Sequence, residues 1–211
     1  MKLRSSKCSV ELIVCLLACG SIAISQIKPT SVPKQPPTIG LTMDTQLTTM
    51  EKQLVPAAEA MPAEKYSFVP NGEEFNGSRT FALEVRHVAA ANFALFSEIL
   101  GQAPPAGVSF SGATNGPVEL QTKEQIVQFL KDSFALAHKA ISTITEKNAL
   151  TPIEDPNLPF SQPYFRSRLA LASFACTHAA DHYGQMVVYL RMNGITPPAS
   201  NGQPPANPSK P

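Results

Sequence analysis

The sequence predicts an all-α protein built as a four-helix bundle, with a signal segment before it and a disordered tail after it. Three observations carry this prediction. Four stretches place apolar residues three and four apart, the spacing that lines one face of a helix. Almost nothing alternates at the period of two that a half-buried strand requires. Each stretch carries a single apolar stripe, and helices of that kind bury their stripes against one another.

The first helical stretch covers residues 43–61, with Leu47, Met50, Leu54, Ala58 and Met61 on one face. Pro56 falls inside it and predicts a kink or a break, since proline lacks the N–H that a helix interior needs. The second covers residues 79–100, with Ser78 or Thr80 as N-cap and Gly101 just past its end. Its inward stripe is Leu83, His87, Ala90, Ala91 and Ala94. The third starts at Thr122, whose TKEQ run is a capping-box pattern. It carries Ile126, Leu130, Phe134, Ala137, Ile141 and Ile144 on one side. The fourth covers residues 167–193 and stops at Gly194, with Pro197 and Pro198 beyond. Its stripe is Leu171, Ala175, His178, His182, Gln185 or Met186, and Tyr189. Residues 101–121 and 146–166 are Pro- and Gly-containing connections, long enough to cross a bundle or shape a pocket.

The ends read differently. Residues 1–25 form a signal peptide: a basic MKLRSSK start, an apolar run too short for a membrane span, and small residues before Gln26. An alternative is the lipobox-like LLACG, in which Cys19 becomes a lipid anchor. Residues 26–40 are a Pro-rich linker, 41–198 the helical domain and 199–211 a disordered tail. The chain is therefore expected to be exported, periplasmic or extracellular, with no stable membrane span. Three of its four cysteines lie in the signal segment, so the mature chain keeps only Cys176 and has no internal disulfide. A formal net charge of +1 and the lack of a basic stripe with interleaved aromatics argue against a nucleic-acid partner. There is no Gly-rich phosphate loop, CxxC, HExxH or GxSxG.

The stretch THAADHYGQ, residues 177–185, places two of only four histidines four apart. At that spacing both imidazoles leave the same helix face and can meet one divalent metal. Hydrogen-bonded or surface histidines satisfy the spacing equally. His87 tips the balance. It is the polar residue on the inner stripe of the second helix, where alanines follow it and leave room over the ring. His87, His178 and His182 then form a His₃ set, which leaves a divalent metal an open coordination position. Zinc and nickel both suit imidazole.

At this point the pattern resembles the DinB/YfiT-like family of four-helix-bundle metalloenzymes. The stretches that carry it are HAADHYGQMVVYLRMNGITPP, LEVRHVAAANF and AEAMPAEKYSFVP. The resemblance spans about residues 43–200 and implies metal ligation by His87, His178 and His182. It implies either hydrolysis or transfer of a thiol of the bacillithiol, mycothiol or glutathione type. Tyr183 stands where many members carry arginine, which puts an inherited anion site in doubt.

Asp181 and Tyr183 are the candidate catalytic side chains. Asp181 is either a base or acceptor beside the ligands, or a solvated acid. Glu84, one turn before His87, has the same two readings. Tyr183 either donates a hydrogen bond to substrate or packs. His138 reads as a helix-flank histidine away from the metal, and Cys176 as a buried small residue. The expected function is metal-dependent hydrolysis of a small molecule. The alternatives are metal-dependent thiol transfer and a non-catalytic exported bundle that binds a metal or ligand. A homodimer is left open.

Overall fold

Thr38 starts the first helix. In the computed structural model, which describes residues 36–110, 114–155, 158, 160, 162 and 165–201, its hydroxyl accepts from the Leu41 amide at 3.1 Å. Helix α1 (Ile39–Ala60) therefore begins inside the expected linker, earlier than the apolar period alone indicates. Thr42, Thr45 and Thr49 sit in this first half, and their hydroxyls donate to carbonyls one turn back. That satisfies side chains that otherwise disfavour helix interiors. Pro56 does not break α1, which runs continuously through it. The carbonyl that loses its partner belongs to Lys52, an exposed residue, where water can replace the missing N–H.

Helix α2 (Phe81–Leu100) is capped by the Thr80 hydroxyl and ends at Gly101, whose φ of 66° lies in the left-handed region. Helix α3 (Lys123–Ile141) has the full capping box, Thr122 to the Gln125 amide and Gln125 back to the Thr122 amide. Helix α4 (Arg168–Met192) starts at the Ser167 cap. It closes when the Ile195 amide bonds the Leu190 carbonyl at 3.0 Å around Gly194. Short 3₁₀ turns at Ala63–Lys65, Glu73–Phe75 and Pro198–Ser200 complete the helical elements among the described residues. No strand occurs among those residues, and Pro152 and Ser167 form an isolated bridge.

The principal packing pairs are α2 with α3, α2 with α4, α1 with α4 and α1 with α3. Helices α1 and α2 are thus not principal neighbours, nor are α3 and α4. The connections 61–80 and 142–167 cross the bundle instead of joining adjacent helices, as their length permits. Tyr66 anchors the first crossing, its hydroxyl donating to the Ala58 carbonyl at 2.7 Å and its ring edge-on to Phe81. The main core follows, with Leu47 and Leu54 of α1, Val85 and Phe96 of α2, Leu130 and Phe134 of α3, and Leu171 and Met186 of α4 all buried, and a smaller cluster gathers Ala90, Phe93, Ala94 and Val108.

The expected signal peptide, most of the linker, Cys19 and the last ten residues of the tail lie outside the described residues. Among the described residues no helix is long and apolar enough to cross a membrane.

Gly184 sits exposed within α4, and a Cβ there meets no atom within 4 Å. A mid-helix glycine costs conformational entropy and contributes no contact here. Gly184→Ala should therefore stabilise the protein by about 0.5–1 kcal/mol in urea unfolding. An unchanged or lowered midpoint would mean that this face of α4 is covered in solution.

Candidate metal centre

The i, i+4 spacing on α4 places His178 and His182 one turn apart on the face that meets α2. There they meet His87, and the three can present one ligand atom each, all within 4.8 Å of one another. His178 Nε2 lies 3.1 Å from His87 Nε2 and 3.1 Å from His182 Nε2.

The outer nitrogens decide what the inner ones carry. His87 Nδ1 is 2.6 Å from the Thr114 carbonyl oxygen, and His182 Nδ1 is 2.6 Å from Glu84 Oε2. A carbonyl accepts and cannot donate, and the same holds for an ionised carboxylate, so each Nδ1 carries the proton. Both Nε2 atoms then present lone pairs inward. His178 Nε2 stands between them and holds at most one proton, so it can donate to one of the two and leaves the other facing a lone pair. A divalent cation satisfies all three at once. Nitrogens held at 2.0–2.1 Å around a tetrahedral zinc are about 3.3 Å apart, close to the two 3.1 Å spacings that His178 Nε2 makes. The residues fit such an ion, and two of the three already have the N–H···O partners that orient ligating imidazoles.

Burial favours the ligating form. It lowers the His87 pKa from its ordinary value, against the pull of the Thr114 hydrogen bond. His178 falls to about 3, through burial first and then the nearby His182, His87 and Arg79. Both rings are neutral near neutral pH. His178 Nδ1 is buried without a hydrogen-bond partner, so this imidazole lacks the outer acceptor that the other two have.

Glu84 and His182 are the buried members, with side-chain exposures of 2% and 7%. Their bond joins α2 to α4 beneath the site. The Thr114 carbonyl is held by a different device. Arg86, buried on α2, donates to the carbonyls of Gly116 and Pro117, and Arg79 Nε donates to Asn115 Oδ1 at 2.9 Å. Gly116 has φ +68°, and a Cβ there would come 3.0 Å from the Phe129 ring. These contacts fix the segment that delivers the acceptor to His87. Sequence reasoning missed this clamp. Its signal was a pair of arginines seven apart, Arg79 just before the N-cap of α2 and Arg86 inside the helix.

Over the exposed side of His87 and His178 lies a cavity of about 280 Å³. Ala91 and Ala94 line it, as the stripe predicts, together with Ser109 and Thr114 of the 101–121 connection. His182 is not in its lining.

Asp181 is exposed on α4, and Tyr183 is half-buried against the core. Neither lines the cavity, and the acceptor for a ligand N–H is Glu84, with no bond from Asp181 to an imidazole. The two acids look alike in sequence, each near a histidine, and the register of α2 against α4 decides between them. His138 stands apart, its Nδ1 2.6 Å from Asp44 and its Nε2 3.1 Å from Glu51 on α1. Burial pushes the Cys176 thiol up to about 11, which makes it a poor nucleophile.

A second cavity, of about 700 Å³, shares Ser109 and Phe110 with the first. Glu98 and Asp155 face it, and Glu98 is pushed up to about 7, by burial and then by the charge of Asp155 and a hydrogen bond to it. Between the ordinary value of 4.5 and about 7, the folded state holds a proton that the unfolded chain has released. Stability contributed by that proton is present at the acid end and is lost as pH rises through this window. Glu98→Gln should flatten the pH dependence of the unfolding midpoint there. A slope identical to wild type would contradict the pairing.

A model of the DinB superfamily matches residues 46–186. No curated protein matches the chain. Its fold is similar to the crystal structure of a conserved protein from Enterococcus faecalis, at 16% identity and a TM-score of 0.59, over 74% of this chain and 98% of that one.

Proposed function

The chain belongs to the DinB superfamily, and from that premise we propose that it is an exported metal-dependent enzyme whose His87, His178 and His182 hold one divalent cation for hydrolysis of a small molecule. The observation that supports this most is the convergence of three imidazole nitrogens, two of which, those of His87 and His182, have their tautomers set by Thr114 and Glu84. Zinc and nickel fit the donor set. A bound divalent ion supplies Lewis acidity and lowers the pKa of a bound water.

The protein's own part is positioning. Thr114 and Glu84 hold the Nδ1 protons of His87 and His182 and keep both rings turned inward. Ala91 and Ala94 keep the space over His87 and His178 open, and a cation held by the three histidines would be reached by a small molecule from that side. Among the described residues the cavity lining contains no carboxylate and no lysine or arginine. That favours hydrolysis, which takes water as co-substrate, over transfer of a multiply charged low-molecular-weight thiol. The signal segment expected at the N-terminus points the same way, because reduced thiols are scarce in oxidising compartments.

The test incubates metal-loaded full-length protein with esters, amides and electrophiles, with and without bacillithiol, mycothiol or glutathione. Thiol-independent turnover that disappears in His87→Ala supports the proposal. Turnover that requires a thiol assigns the chain to transferase chemistry. Metal retention without turnover assigns it to binding.

A further inference from the structure

We infer that the cavity above His87 and His178 is a specificity pocket for an uncharged aromatic group of the substrate, with the group's heteroatom substituent directed at the histidine nitrogens. The inference rests on the proposed metal site for the heteroatom, and on the cavity alone for the ring.

Its walls are Ala91, Ala94, Leu95, Phe110, Phe160 and Phe174. Among the described residues its polar groups are the two imidazoles, Ser109 and Thr114. The aromatic side is ordered ring against ring. Phe174 stacks on His178 with centroids 5.9 Å apart and planes 29° apart, and Phe160 meets Phe174 edge-on at 5.0 Å. A flat guest can continue this series by an offset-stacked or edge-on contact. Size agrees: an apolar cavity of roughly 150 Å³ takes one benzene, and this one, at about 280 Å³, has room for a ring with a substituent.

Charge argues for a neutral guest. Arg79, which acts on both imidazoles at a distance, is held by Asn115 and is not in the lining. Away from the metal position, a charged group at the ring end would leave water for walls that, among the described residues, offer it no counter-charge. The ring is placed next to the metal position because His87 and His178 themselves form part of the wall.

The experiment has two arms on the full chain. In the metal-free protein, fluorobenzene is titrated and followed by fluorine NMR. In the zinc-loaded protein, the affinities of benzohydroxamate and acetohydroxamate are compared by calorimetry, with zinc stoichiometry measured separately. The expected results are saturable fluorobenzene binding and at least about a tenfold preference for benzohydroxamate, from burial of its ring. Ala94→Leu should remove both while zinc stoichiometry stays at the wild-type value. Ala91→Val replaces it if that variant does not fold. Equal affinities for the two hydroxamates overturn the inference even if zinc binds. Failure of zinc to bind instead refutes the metal reading, and fluorobenzene alone then decides whether the pocket takes a ring.

Discussion

His178→Ala should lose stoichiometric metal while the metal-free fold stays within about 1 kcal/mol of wild type. The two halves of this expectation have different causes. Metal is lost because His178 Nε2 is the nitrogen shared by both short contacts, 3.1 Å to His87 and 3.1 Å to His182. Stability is kept because the ring is a poor resident of the metal-free site. Its Nδ1 has no partner, and an orphaned buried polar atom costs about 1–3 kcal/mol. Removing the ring relieves that cost and offsets the packing it contributes. His182→Ala should also abolish metal retention but should destabilise the protein, because it leaves the Glu84 carboxylate buried with nothing to bond. Dialysis against dilute zinc followed by elemental analysis, paired with urea unfolding of the metal-free forms, separates the two variants. One retained equivalent in either would refute the ligand assignment.

Glu84→Ala carries the second large effect. The carboxylate is buried, and its bond of 2.6 Å fixes the protonated nitrogen of His182. Truncation strands that N–H in the core and opens a small cavity, for a cost of about 2–4 kcal/mol. It also frees the ring to turn, and loss of such an outer partner lowers metal affinity by about 10–100-fold. Glu84→Gln keeps an oxygen acceptor. It should recover most of the stability yet still bind metal more weakly than wild type, because a neutral amide raises the basicity of the ligand nitrogen less. Wild-type affinity in both variants would show that His182 is oriented by packing alone.

Periodicity and capping chemistry made most of the bundle legible. Thr122, Gly101 and Gly194 mark helix ends because each supplies a specific backbone requirement, and those requirements are local. The histidine set was legible for a related reason. An i, i+4 pair on one helix and a polar residue on the inner stripe of another point to the same interior. Other features depend on how helices meet, which local rules do not reach. Helix α2 was read as having one buried stripe, but it packs against both α3 and α4, so Arg86, Asn92 and Ser97 are buried as well. Glu84 and Asp181 are separated only by interhelical register. Pro56 violates a strong local rule and is tolerated because the carbonyl it frees belongs to an exposed residue. Phe174, one turn before His178, was overlooked because an aromatic residue on a helix reads as packing, yet it lines the cavity and stacks on the His178 ring.

The most direct test of the central claim is the X-ray absorption spectrum of the full chain loaded with one equivalent of zinc. The expected spectrum shows three imidazole nitrogens at about 2.0–2.1 Å, with the outer-ring scattering that identifies histidine, and one further light-atom ligand. A zinc shell with fewer than three imidazoles, or zinc that does not remain bound through dialysis, would contradict the claim.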